Sequence, residues 1–108
     1  MAQTKLMSLN VWGLNSPMKR TMLAQEIDRK GADIVFLQET HYRGEFKPKL
    51  RSKRIQISYY SNNVRQKSRG VVILISSTAA FTEIGIKTDP RGRFVFVKGI
   101  YNGVLTTL

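Results

Sequence analysis

Two polar side chains close apolar runs in the first part of the chain. Asn10 stands in Leu9-Asn10-Val11-Trp12-Gly13-Leu14-Asn15, and Glu39 in Phe36-Leu37-Gln38-Glu39-Thr40. Glu39 offers a hard carboxylate of the kind Mg²⁺ takes one or two at a time, keeping several waters and accepting phosphate oxygens. Asn10 is uncharged, so it would orient a phosphate or a neighbouring side chain rather than hold a cation strongly. Spacing alone leaves a second reading open, in which both residues do no more than solvate strand ends. Ser76-Ser77 has no partnered base, so nucleophilic catalysis has little behind it. Tyr59-Tyr60 could stack on bases, although strand alternation turns one ring into the core and leaves the other exposed. Arg91 and Arg93 flank a turn, where they could touch phosphate or simply be solvated.

Charge narrows the class of partner. The 108 residues carry 18 Lys+Arg against 7 Asp+Glu, a formal +11. Residues 43–69 hold Arg43, Lys47, Lys49, Arg51, Lys53, Arg54, Arg65, Lys67 and Arg69 against a single acid, Glu45. Such a field attracts polyanions, because each neutralised phosphate releases condensed counterions. A solvated basic loop or an assembly surface is the alternative. Cysteine is absent, which excludes disulfides and thiolate metal sites. No apolar run approaches the ~20 residues that span a bilayer, and no secretory h-region follows Lys5. The chain is therefore expected to be soluble and intracellular, with no membrane partner.

The elements that must position these residues follow from periodicity. Leu6–Trp12 reads as a strand broken at Gly13. Ser16 and Pro17 start a helix as cap and first turn, Met18, Met22, Leu23 and Ile27 give it one apolar face, and Gly31 stops it. Ile34–Leu37 is a short continuous apolar run typical of a strand buried on both faces. This strand-helix-strand unit predicts two parallel neighbours, which would bring Asn10 and Glu39 to one edge of a sheet, where ligand sites of α/β proteins form. Residues 40–54 read as a loop. The remainder reads as strands: Ile55–Tyr60, Val71–Ile75, Phe81–Lys87 and Phe94–Tyr101 joined by a type I turn at Asp89-Pro90-Arg91-Gly92, and Val104–Leu108 beyond the hairpin signal Asn102-Gly103. The chain stops inside this last apolar pattern, and the pattern is expected to continue in a longer protein.

The ordered segments LNVWGLNSPMKR, DIVFLQETH and GVVILIS, followed by GRFVFVKG, resemble the opening of the endonuclease/exonuclease/phosphatase superfamily. They are most similar to the endonuclease domain of LINE-type retrotransposons, itself similar to apurinic/apyrimidinic endonucleases. The resemblance covers essentially the whole chain and about half of the family's domain. It implies an α/β (α+β) fold, the N-terminal half of a four-layer α/β sandwich, with one strand-helix-strand unit followed by mostly antiparallel strands. It implies that Asn10 matches the active-site Asn and that Glu39 matches the metal-binding Glu, with Mg²⁺ or Mn²⁺ as cofactor. Trp12 departs from the pattern, since relatives often carry Asp or Asn there to help organise the metal site and an indole cannot. His41 is not the family's catalytic His, which belongs to a later motif; contact with backbone phosphate or capping of the loop is expected of it instead.

The resemblance thus implies a Mg²⁺-dependent phosphodiesterase that nicks DNA, acting in the nucleus, completed by the missing C-terminal half, with a downstream reverse transcriptase as a candidate partner in the full-length protein. His41, Tyr42, Arg43, Arg65, Lys67 and Arg69 are the expected nucleic-acid contacts. The Tyr, Asp/Asn and Asp-His groups of the complete family have no counterpart here, so no catalysis is expected of these 108 residues alone. Two other readings compete. One is a non-catalytic basic nucleic-acid-binding module, whose binding would survive loss of Glu39. The other is an inactive remnant, whose exposed apolar sheet face would make it self-associate.

Overall fold

The computed structural model describes residues 4–108. Its elements run β1 (Leu6–Asn10), α1 (Pro17–Lys30), β2 (Ile34–Gln38), β3 (Ile55–Ser61), β4 (Val71–Ser76), β5 (Phe81–Thr88), β6 (Val95–Tyr101) and β7 (Val104–Thr107). The class is mixed α and β, as the pattern predicts. Four strands form one sheet in the order β1-β2-β4-β3, and β5-β6-β7 form a second.

The strand-helix-strand unit is built by local signals. Ser16 accepts a hydrogen bond from the Lys19 N–H at 3.4 Å, and Pro17 opens the first turn of α1. Gly31 ends the helix in the left-handed region, φ 65°, where its N–H reaches the Ile27 carbonyl at 3.0 Å. The helix buries Leu23, Ala24 and Ile27. Met18 and Met22, expected on the same face, are exposed. At roughly 100° per residue Met18 lies about half a turn around the cylinder from Ile27, so one stripe cannot bury both.

β1 and β2 pair in parallel, with Leu6 opposite Ile34 and Asn10 opposite Gln38. β1 is shorter than the apolar run, because Trp12 already has a positive φ of 51°. β4 lies between β2 and β3, antiparallel to both, and is buried almost throughout. The first sheet is covered on one face by α1 through Leu23 and Ile27, packed with Val35, Leu37, Val72 and Leu74. Its other face meets the second sheet through Ile34, Tyr59, Ile73 and Ile75 against Phe81, Val95 and Val97. One helix layer and two sheet layers result among the described residues.

Both predicted hairpins form. The turn before β6 closes with the Gly92 N–H on the Asp89 carbonyl at 2.9 Å. Asn102 and Gly103, φ 50° and 81°, turn β6 into β7 with the two positive φ values a type I′ turn needs. Phe96, Ile100 and Leu105 remain exposed on the second sheet.

Candidate active site

Parallel pairing of β1 and β2 brings their carboxyl ends to one rim. The backbone continues the register past the strands: Val11 N–H donates to the Gln38 carbonyl at 2.9 Å, Gly13 N–H to Glu39 at 2.6 Å, and Leu14 N–H to Thr40 at 2.8 Å. Asn10 and Glu39 therefore stand at the same edge. Asn10 Oδ1 accepts from the Trp12 N–H at 3.1 Å, which fixes the amide oxygen at the mouth of the β1 loop.

Two further loops reach this edge. Since β2 and β3 are both antiparallel to β4, the chain leaves β2 at the rim, crosses the sheet through residues 39–54, and returns along β3. The 62–70 loop then lies against the Glu39 segment: Thr40 N–H donates to the Gly70 carbonyl at 3.1 Å and His41 N–H to Arg69 at 2.7 Å. Gly70 N–H in turn donates to the Gly92 carbonyl at 2.9 Å, tying in the β5–β6 turn. Here glycine is required. A Cβ on Gly92 would sit 2.7 Å from Asn63 N and 2.9 Å from Gly70 N, and one on Gly70 would strike the Thr40 hydroxyl.

Strain concentrates at this edge. Trp12, Glu39, His41 and Arg69 have φ of 51°, 59°, 61° and 57°; the one other non-glycine residue with positive φ among those described is Asn102 in its hairpin. Each such backbone costs about 1–2 kcal/mol. The four-loop hydrogen-bond ladder holds them there. Strain of this kind clusters at functional sites because the surrounding structure must over-determine it.

The Glu39 carboxylate is partly exposed, and its Oε2 lies 3.0 Å from His41 Nε2. Asn15 Nδ2 donates to the His41 carbonyl at 2.8 Å, so His41 is fixed from both its backbone and its ring. Two left-handed residues on either side of Thr40 turn both side chains outward together. An open cleft of about 590 Å³ lies beside Glu39, lined by Arg65, Arg69, Arg91, Asn63, Gln66 and Ser68. Asn63 organises it, with Oδ1 accepting from the Arg65 and Gln66 N–H groups at 3.0 and 3.2 Å. Three guanidinium groups against one carboxylate give the cleft a net positive lining, of a chemistry suited to anions.

Not every expected contact lies here. Tyr42 is 2% exposed, packed edge-on against Phe46 at 5.4 Å, and burial pushes its hydroxyl pKa up to about 12. It is a core residue and not a nucleic-acid contact; its place in a basic segment gave no sign of the apolar layer beneath the loop. Arg43 and Lys67 line a separate cleft with Asn15 and Phe46. The basic segment also divides, because the 39–54 crossing carries its middle to the opposite end of the sheet. There Arg54 Nη2 donates to the Gly31 carbonyl at 3.2 Å and lies 3.4 Å from Asp33 Oδ1. Neither ring of Tyr59-Tyr60 is free to stack: Tyr59 is buried, and Tyr60 is half-buried with its hydroxyl donating to the Pro48 carbonyl at 2.8 Å. Ser76 is buried at that far end, on Thr78.

Sequence reasoning passed over Asn15 and Asn63, and Arg91 stood open between two readings. The Asn-Asn pair before a basic loop was the available signal, since Asn side chains cap their own following N–H groups. No helix among the described residues is long and apolar enough to cross a membrane. Residues 7–107 match the model of the Endonuclease/Exonuclease/phosphatase family. Membership points to nuclease or phosphodiesterase chemistry on a nucleic-acid substrate, in enzymes that typically use divalent metals. With that match across nearly its whole length, the chain belongs to the endonuclease/exonuclease/phosphatase family.

Proposed function

We propose that this chain carries the amino-terminal part of a Mg²⁺- or Mn²⁺-dependent DNA endonuclease site, of the strand-nicking kind found in LINE-type retrotransposons. These 108 residues alone do not turn over substrate. The observation that carries the reading is the common rim of Asn10 and Glu39, with the Arg65–Arg69–Arg91 cleft beside the carboxylate.

The donor set fits a hard cation. Glu39 Oε2 faces His41, while Oε1 has no hydrogen-bond partner among the described residues, and a carboxylate with room for waters is what Mg²⁺ and Mn²⁺ accept. Glu39 would hold the ion, which supplies charge neutralisation at a phosphate. The Asn10 amide orients the phosphate beside it. Arg65, Arg69 and Arg91 hold the backbone phosphates that flank it, and His41 fixes the Glu39 carboxylate in place.

The rim falls short of a complete machine. Hydrolysis needs an activated water and a stabilised leaving group as well as a clamped phosphate. No group of three His, Cys, Asp or Glu residues close enough to hold a metal occurs among the described residues. The retrotransposon assignment rests on the ordered segments LNVWGLNSPMKR, DIVFLQETH and GVVILIS.

Incubating the chain with supercoiled plasmid and Mg²⁺, beside Glu39→Ala, tests this. DNA should be retained at low salt and released as salt rises, with no more nicked circle than Glu39→Ala gives. Glu39-dependent nicking would overturn the claim of inactivity. Binding indifferent to Mg²⁺, EDTA and Glu39→Ala alike would favour the non-catalytic basic module.

A further inference from the structure

Trp12 is a rim residue whose character fits neither a metal site nor a phosphate clamp. It is 73% exposed. Its backbone is nonetheless held at three points: its N–H by Asn10 Oδ1 at 3.1 Å, its carbonyl by the Lys19 ammonium at 3.2 Å, and the following N–H, of Gly13, by the Glu39 carbonyl at 2.6 Å. Its φ of 51° is one that a bulky residue seldom adopts. The ring touches His41 only at a tilt, centroids 6.0 Å apart and planes at 59°, which leaves the indole open to solvent. A large apolar ring is thus presented outward on a rigid, strained loop, two residues from Asn10 and beside the Glu39–His41 pair.

We propose that Trp12 is a stacking platform for a nucleobase of the substrate strand next to the phosphate held at the rim. The inference rests on the nucleic-acid reading above and narrows it to a substrate with an unstacked or single-stranded base at that position. A fixed indole gives π-face area at little further conformational cost, and base–aromatic stacking tolerates any sequence. The cations needed for the adjoining backbone are in place. Lys19 lies on the Trp12 carbonyl, and the cleft of Asn15, Arg43, Phe46 and Lys67 contains no acid. A small phosphoester without a base would leave the indole with nothing to meet.

Trp12 is the single tryptophan of the chain, so its own fluorescence reports the contact. Titration at low salt with a short single-stranded oligonucleotide should quench it. An abasic oligomer with the same number of phosphates should bind without that quench. Trp12→Leu should bind the base-bearing strand roughly tenfold more weakly and the abasic oligomer equally well, and Trp12→Phe should recover most of the loss. Equal quenching by both oligomers, or unchanged affinity in Trp12→Leu, overturns the assignment. The wild-type quenching comparison decides even if a variant fails to fold. Loss of the Trp12 effect with Glu39-dependent metal uptake intact removes this inference alone. Failure of both oligomers to bind removes the nucleic-acid reading with it.

Discussion

The Glu39 carboxylate and the His41 imidazole face each other at 3.0 Å, from two left-handed residues that bracket a fully buried Thr40. The zigzag turns both side chains to the same edge and sinks Thr40 between them. An outer partner that holds a metal-binding side chain is commonly worth ten- to hundredfold in affinity. His41→Ala is therefore expected to weaken Mn²⁺ binding about tenfold, read by calorimetry, while leaving the circular dichroism spectrum unchanged. Unaltered Mn²⁺ affinity would show that the pair is a resting contact without consequence for Glu39.

The arginine cleft predicts a salt signature. Each neutralised phosphate adds about one to the slope of log affinity against log salt. Arg65→Ala, Arg69→Ala and Arg91→Ala should each reduce that slope by about one in fluorescence anisotropy with duplex DNA. Arg54→Ala should leave the slope alone and lower the melting temperature, because Arg54 is tied to Gly31 and Asp33.

Thr40 offers a stability test. Its hydroxyl is buried without a hydrogen-bond partner among the described residues, packed over Gly70. Valine has the same shape and no hydroxyl to leave unsatisfied. Thr40→Val should stabilise the chain by about 1 kcal/mol in urea denaturation. A loss of stability would mean that the hydroxyl is satisfied in solution.

Asp89 predicts an acid limb. The guanidinium of Arg93, at 2.8 Å, holds its carboxyl near pKa about 2, below the ordinary 3.8. A folded-state pKa below the unfolded one stabilises at pH above the unfolded value, and the gain is lost as pH falls from 3.8 towards about 2. Asp89→Asn should lower the melting temperature at pH 7 and flatten its fall between pH 4 and pH 2, followed by circular dichroism. Parallel curves for the two proteins would contradict this.

What the sequence made legible was local. Ser16, Pro17 and Gly31 mark α1, Asn102-Gly103 marks the last hairpin, and the two apolar runs around α1 predict the parallel pair that brings Asn10 and Glu39 together. What stayed hidden depends on strand order. Nothing near residue 69 says that β4 inserts between β2 and β3, yet that insertion brings Arg65 and Arg69 to Glu39 and sends Arg54 to the other end. Tyr42 reads as a surface residue by its neighbours, and only the packing of Phe46 and Tyr60 against it shows otherwise.

Under the proposed function, Glu39 is the cation ligand of a rim it shares with Asn10. Paramagnetic broadening of backbone amide resonances by Mn²⁺ tests it directly, on the chain and on Glu39→Ala. Gly13, Glu39 and Gly70 should broaden first in the parent chain, and this selectivity should vanish in Glu39→Ala. Broadening centred on another acidic residue, or unchanged in the variant, would contradict it.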